Sequence, residues 1–266
     1  MVMPMEVYTQ VLDAVAQTAC VIQFYFQGEP LLNPELSRMV QMAHERGLYT
    51  IVSTNAQALT ATMANDLSRA GLNRTIVSLD GVSEESYAAY RKGGDLHKVL
   101  MGLQYLRRAK TGRYPRIELQ MLRLKTNEHE WHWLRTHYRK MGADKLTLKT
   151  AQFYDFEHGN PLMPTDERYC RYRKGEDGLY HLKRNVQRHF TCKRLWTGCV
   201  ITTAGEVLPC CYDKDSRYSF GNLLTSTLNS PLISLRDIYC GERAQRFREQ
   251  VIKHPASIDI CRNCAQ

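Results

Sequence analysis

The chain has 266 residues, 43% hydrophobic and 24% charged, the balance of a globular protein with room for one large domain or one domain plus a small appendage. Its longest strongly apolar stretch, residues 19–26, contains Gln23 and is too short to cross a bilayer. The N-terminal residues carry Glu6 and Asp13 and no basic head, so no signal peptide is read and a cytoplasmic, non-membrane protein is expected. The net charge of +9 raises the question of nucleic acid. The bases Arg107, Arg108, Lys110, Arg135, Arg139 and Lys140 are spread along helix faces, with no run interleaved with stacking aromatics in a recognised module. A solvated basic surface, or a basic mouth for an acidic or peptide substrate, is the simpler reading.

Residues 5–18 read as a helix with apolar Val7, Leu12, Val15 and Ala16, and no strand precedes it. Residues 21–27 are β-branched and aromatic and predict a strand. Asn33 and Pro34 open a helix that Gly47 ends. Residues 49–55 form the next predicted strand, followed by a helix stopped at Gly71. Residues 75–79 predict a third, mostly apolar strand buried on both faces. Ser83 opens another helix, with Glu84 and Glu85 at its positive end. A second helical stretch covers 96–110, and residues 116–124 predict a fourth strand. Asn127, with Glu130 three residues on, is expected to cap a helix that runs to Gly142. Residues 145–150 predict the fifth strand. Such alternation implies right-handed crossovers and a parallel sheet or barrel, entered half a unit in.

In α/β folds function collects at the C-terminal ends of the strands. Three polar segments fall there: Gln27-Gly28-Glu29-Pro30, Ser53-Thr54-Asn55-Ala56 and Ser78-Leu79-Asp80-Gly81. Each alone is ordinary turn chemistry, but three in series favour one shared pocket. Glu29 can accept from a ligand ammonium, Ser and Asn can bind hydroxyls, and Arg91 can grip a carboxylate. Those groups suit an amino-acid-bearing nucleoside.

The tail holds a Cys210-Cys211 doublet and a terminal Cys261-Arg-Asn-Cys264 pair, with Cys192 upstream. Two cysteines in one tight turn can bind a metal centre, and Cys192 and Cys210 can complete a four-thiolate site. Spacing alone leaves zinc and an iron–sulfur cluster both open. Neighbouring cysteines on an extended segment point to opposite sides, so only one of Cys210 and Cys211 binds easily. Cys20, Cys170, Cys199 and Cys240 read as buried filler, and Trp196 and Tyr212 as core residues. The histidines are scattered without a nucleophile signature, which leaves a hydrolase unsupported.

The segments Gly28-Glu29-Pro30, Ser53-Thr-Asn55 and Ser78-Leu-Asp-Gly81 with Tyr90-Arg91 resemble the radical S-adenosylmethionine superfamily. The tail resembles its SPASM extension: Cys192 to Trp196, Gly205-Glu-Val-Leu-Pro-Cys210, Asp213, Gly221-Asn222 and Cys261-x-x-Cys264. The resemblance implies a partial (β/α)6 TIM-like barrel missing its first strand, over residues 1–155. Residues 156–185, rich in charge, Gly and Pro, read as a connecting segment, and by the resemblance a small cysteine-rich iron–sulfur domain, 186–266, would follow. Cys192, Cys210, Cys261 and Cys264 would hold a [4Fe–4S] cluster, with Cys210 preferred over Cys211 because it follows Pro209 as in that pattern. S-adenosylmethionine would lie against Gly28, Glu29, Pro30, Ser53, Asn55, Ser78 and Arg91. Members cleave it reductively at a separate [4Fe–4S] cluster to generate a 5′-deoxyadenosyl radical. Those with the SPASM tail often modify peptides or proteins, and an electron donor such as flavodoxin or ferredoxin is implied. The family's catalytic Cys-x3-Cys-x2-Cys is absent from this sequence. The expectation is a truncated chain, inactive as given, with a naturally degenerate protein as the other account. A zinc-stapled binding module without catalysis is the competing class.

Overall fold

Five strands pair in parallel in the order in which the chain makes them, as read from a computed structural model that describes residues 2–183, 192–224 and 234–264. Helix α1 (Met5–Val15) comes first, then β1 (Val21–Gln23), α2 (Leu36–Glu45), β2 (Tyr49–Thr54), α3 (Ala61–Arg69) and β3 (Arg74–Ser78). Two helices follow, α4 (Glu84–Tyr90) and α5 (Leu96–Ala109), then β4 (Arg116–Arg123), α6 (Trp131–His137) and β5 (Lys145–Thr150). After the sheet come a hairpin of β6 (Tyr172–Lys174) and β7 (Tyr180–Leu182), then α7 (Arg194–Thr197). A small antiparallel sheet joins β8 (Val200–Ile201), β9 (Glu206–Leu208) and β10 (Gly221–Asn222). Helices α8 (Leu235–Cys240), α9 (Glu242–Lys253) and α10 (Asp259–Arg262) close the chain. The parallel α/β architecture of the sequence reading is therefore present.

Two compact units result: Cys20–Lys183, and Met1–Ala19 together with Arg184–Gln266. Helix α1 thus groups with the cysteine-rich tail. Residues 156–183 group with the sheet and are more than a connection. Phe153, Phe156, Met163, Cys170 and Tyr172 bury against Leu124 and Ala151, and Phe156 stacks on Tyr172 at 4.6 Å. The Gly, Pro and charged residues that suggested a linker sit between these apolar anchors.

Register assigns the two faces of the large sheet. Val52 pairs with Thr75, Val77 with Leu119, and Met121 with Leu148, so these residues share one face. That face packs with Leu67, Val99, Leu103, Leu106 and Leu134 of the helices. The opposite face carries Ser53, Arg74, Ser78, Glu118, Gln120 and Thr147. The third strand was expected over 75–79 as a mostly apolar run buried on both faces, and Thr75, Ile76 and Val77 are all buried, Ile76 on the face of Ser53; Ser78 alone of that run is half-exposed.

Helix starts differ from expectation where a polar side chain found a better partner. Helix α2 begins at Leu36, because Asn33 forms a local turn, its Oδ1 accepting from the Glu35 amide at 3.0 Å. Helix α6 begins at Trp131, because Asn127 and Glu130 both reach back to the β3–β4 region. Strand β1 stops at Gln23, short of the predicted 27. Ser83 caps α4 as read, with Ser86 completing a capping box.

Glu118 is buried on the polar face near the start of β4. It accepts from Thr147 Oγ1 at 2.6 Å and Lys145 Nζ at 3.3 Å, and Arg74 lies 3.6 Å away. Burial alone would raise its pKa, but the Thr147 hydrogen bond and the two cations together hold it below the usual value. A depressed folded pKa means stability present above the unfolded value of about 4.3 and lost as pH falls through the folded one. Glu118→Gln is expected to cost about 1–3 kcal/mol at pH 7, with the difference from wild type shrinking below about pH 4. Urea melts at several pH values check this; a gap that persists unchanged in acid would contradict it.

Candidate functional site

The first two strand-end segments are tied to each other by one carboxylate. Gly28 takes φ +79°, a region that glycine enters without a Cβ penalty, and turns the chain after β1. Glu29 then caps the short 3-10 turn Pro30–Leu32. Its Oε1 accepts from Thr54 Oγ1 at 2.6 Å and Leu31 N at 3.1 Å, and its Oε2 accepts from Asn55 N at 2.8 Å. A carboxylate oxygen can take two donors, so Oε2 keeps capacity for an ammonium. Asn55 Oδ1 accepts from Gln57 N at 2.9 Å, which orients its amide. Ser53 and Ser78 are half-exposed on the polar face. Gln120 stands beside Ser78 in register on that same face.

Arg91 is already engaged. Its Nε and Nη2 both donate to Asp80 Oδ2, at 2.7 and 2.6 Å. Asp80 is 1% exposed, and its Oδ1 accepts from Leu122 N at 2.7 Å. The carboxylate partner expected from a ligand is thus matched first inside the protein, and only the Nη1 edge of the guanidinium lies outside this fork. Asn127 Nδ2 donates to the Asp80 carbonyl at 2.8 Å and to the Leu122 carbonyl at 2.9 Å. Glu130, 6% exposed, accepts from Val82 N at 2.9 Å, Ser83 Oγ at 2.8 Å and Ser86 Oγ at 2.7 Å. Asp80, Asn127 and Glu130 therefore shape the loop after β3. Sequence reading placed Asp80 in a motif but gave it no role, and took Asn127 and Glu130 for local capping.

In the tail, Cys192, Cys210, Cys261 and Cys264 line one cavity with Arg194, Leu195, Tyr212, Phe247 and Ile260. Each cysteine has a local reason for its place. Cys192 directly precedes the turn into α7, where its carbonyl accepts from Leu195 N at 3.1 Å. Gly205, at φ +80°, makes the turn into β9, which leads to Pro209 and Cys210; a Cβ there would meet Leu224 Cγ at 2.4 Å. Asp213 holds the following turn, accepting from Arg217 N at 2.9 Å and Tyr218 N at 3.0 Å. Asn222 Nδ2 donates to the Ala204 carbonyl at 2.8 Å. Helix α10 carries Cys261, and Cys264 N donates to its carbonyl at 3.0 Å.

Burial pushes the Cys210 thiol up to about 11. Cys261 is pushed up to about 12 by burial and by the charges of Cys210, Cys264 and Cys192. Burial and neighbouring thiols thus disfavour ionisation of Cys210 and Cys261, in a donor set that a cation would complete. Among the described residues no three Cys, His, Asp or Glu gather as tightly as a single ion requires. Thiolates around one zinc lie about 3.8 Å apart, from Zn–S bonds of about 2.3 Å, whereas a four-iron cluster spreads one thiolate to each iron.

Cys211 does not line this cavity; its Sγ accepts from Arg194 Nη1 at 2.9 Å. Of the remaining thiols, Cys170 is buried as expected, but Cys20 and Cys240 are exposed, so filler is the wrong description for them. Burial raises Cys199 to about 11, with Arg248 opposing. Trp196 is 56% exposed and not a core residue; its ring lies 5.0 Å from the guanidinium carbon of buried Arg248. Tyr212 is half-buried at the cavity wall.

Two family models match the chain: Radical SAM superfamily over residues 2–131, and SPASM, an iron–sulfur cluster-binding domain, over residues 192–265. An AdoMet-dependent heme synthase of Methanosarcina barkeri is 31% identical over 99 residues, 37% of this chain and 28% of that protein. A PqqA peptide cyclase of Streptomyces rochei is 26% identical, covering 77% of this chain. The chain spans 60% of that cyclase's length. Among solved structures, anSMEcpe with bound AdoMet and the Kp18Cys peptide aligns over 99% of this chain and 78% of its own, with TM-score 0.67 at 16% identity. Streptococcus suis SuiB bound to S-adenosylmethionine aligns over 98% and 65%, with TM-score 0.67 at 13% identity.

Asp80→Asn is expected to cost about 2–4 kcal/mol, since it strands the Arg91 guanidinium at a buried acceptor, discounted because Arg91 reaches solvent. Arg91→Ala should cost about the same if the pair is a structural clasp; denaturant melts of both compare them. Gly205→Ala should lose about 2 kcal/mol or more in tail stability, from the positive φ and the Leu224 contact. Thermal melts of the variant measure that loss.

Proposed function

For this member of the radical SAM superfamily, with its SPASM iron–sulfur domain, we propose a role in modifying a peptide or protein through S-adenosylmethionine chemistry. The observation that carries the reading is the convergence of Cys192, Cys210, Cys261 and Cys264 on one cavity in a domain whose family binds iron–sulfur clusters. The donor set fits a [4Fe–4S] cluster, which supplies one-electron chemistry when bound. The protein's part is to keep four soft donors together, to shield them with Leu195, Phe247 and Ile260, and to exclude water.

The strand-end pocket is read as the S-adenosylmethionine site. Glu29 would receive the methionine ammonium on Oε2 while its Oε1 stays clasped to Thr54. Ser53, Asn55 and Ser78 would meet the ribose and carboxylate, with Gly28 and Pro30 shaping the wall. Arg91, steadied by Asp80, would offer its remaining edge to the carboxylate. The peptide assignment draws on the names of relatives that act on or bind peptides, the PqqA peptide cyclase and SuiB bound to precursor peptide SuiA. An electron donor of the flavodoxin or ferredoxin kind completes the reading.

Anaerobic reconstitution should give about four irons per chain with matching sulfide and a brown colour. Cys261→Ala should lose most of that iron and Cys240→Ala should not. Colourless zinc without sulfide would replace this reading with the stapled binding module. In calorimetry, S-adenosylmethionine should bind, and Glu29→Ala should weaken it about tenfold or more, the loss of a charge-assisted contact of about 1.4 kcal/mol. An unchanged Kd would remove Glu29 from the pocket.

A further inference from the structure

Of the nine described residues that line the four-cysteine cavity, Arg194 is the one that carries a fixed charge. It lies two residues after Cys192, at the start of α7. Its Nη1 donates to Cys211 Sγ at 2.9 Å, and Cys211 is joined by one peptide bond to Cys210. Arg194 is therefore tied to the segments that present two of the thiols, by its backbone near Cys192 and by its guanidinium to Cys211. Cys211 does not line the cavity and still has a task there, as the anchor that fixes the cation.

We propose that Arg194, held by Cys211, tunes the reduction potential of the cluster bound by Cys192, Cys210, Cys261 and Cys264, an inference that rests on the cluster reading above. Four thiolates leave a bound four-iron cluster with net negative charge, and one-electron reduction by an external donor adds one more negative charge. A nearby cation stabilises the reduced form more than the oxidised form and so raises the potential. Arg194 is also exposed to solvent, which screens and moderates the effect. Arg194 is thus a positioning and electrostatic residue. It transfers no electron and ligates no iron.

The test is an EPR-monitored redox titration of the reconstituted full chain, with iron and sulfide counted on every variant. Arg194→Gln and Arg194→Met should keep about four irons, since no thiolate is removed. At a fixed solution potential each should lower the reduced-to-oxidised ratio by at least about threefold, where tenfold is about 59 mV for one electron. Arg194→Lys, which keeps the charge, should stay within about threefold of wild type on that scale. Cys211→Ala should also keep its iron. A wild-type potential in either loaded neutral variant overturns the proposal. So does a Lys variant that falls as far as Gln, because charge would then not be the cause. Loss of iron in Cys211→Ala would make Cys211 a ligand and overturn its role as anchor. Failure of the cluster reading itself shows separately, as a wild-type protein that takes up no iron and sulfide.

Discussion

The in-register parallel pairing of five strands is the constraint on which the rest depends. Side chains alternate with period two, so a shift of one residue would exchange the two faces of a strand. Pairing Val77 with Leu119 and Ser78 with Gln120 settles both faces together. Helices α3, α5 and α6 bury their apolar stripes on one face. The other is left with Ser53, Ser78, Gln120, Thr147 and the buried Glu118, the groups that a polar nucleoside would need nearby. A helix-covered core and a polar face thus come from one set of strands.

Parallel strands end in loops whose backbone donors lack ladder partners, and three carboxylates answer them. Glu29 takes the amides of Leu31 and Asn55, Asp80 takes that of Leu122, and Glu130 takes that of Val82. Each bond joins residues far apart in sequence or turns a loop back on itself. The charge is spent on orientation first, which leaves the loops preorganised for a ligand rather than dependent on it. Arg91 shows the same economy, since Asp80 fixes its plane before any ligand arrives.

The tail works by different means. Its core is small, and burial raises the pKa values of the Cys210 and Cys261 thiols. A cation bound there would reverse that penalty, which would link metal binding to the folding of this unit. Gly205, Asp213 and Asn222 each fix a turn around the segment that presents Cys210. Their place in the sequence pattern is explained by backbone geometry.

The sequence by itself determined the parallel α/β class and the order of elements up to residue 150, which follow from local periodicity and turn chemistry, and it named the strand-end segments and four cysteines as candidates from turn chemistry and spacing. Alternation of an extended chain implied that only one of Cys210 and Cys211 binds easily, and the family resemblance, through Pro209, chose Cys210. What the sequence left undecided depends on long-range partners. Asn127 and Glu130 looked like local caps, but they bond across 47 and 48 residues to Asp80 and Val82. Arg91 looked ready for a ligand until Asp80 claimed two of its donors. Residues 156–183 looked like a linker because they are rich in charge, Gly and Pro, and only packing against Leu124 and Ala151 shows their apolar residues as core. Arg194 stood unnoticed between two cysteine motifs, since nothing local brings it to Cys211. Local pattern encodes which elements form; which polar side chain meets which is decided by the tertiary structure, where burial makes an unmatched partner costly.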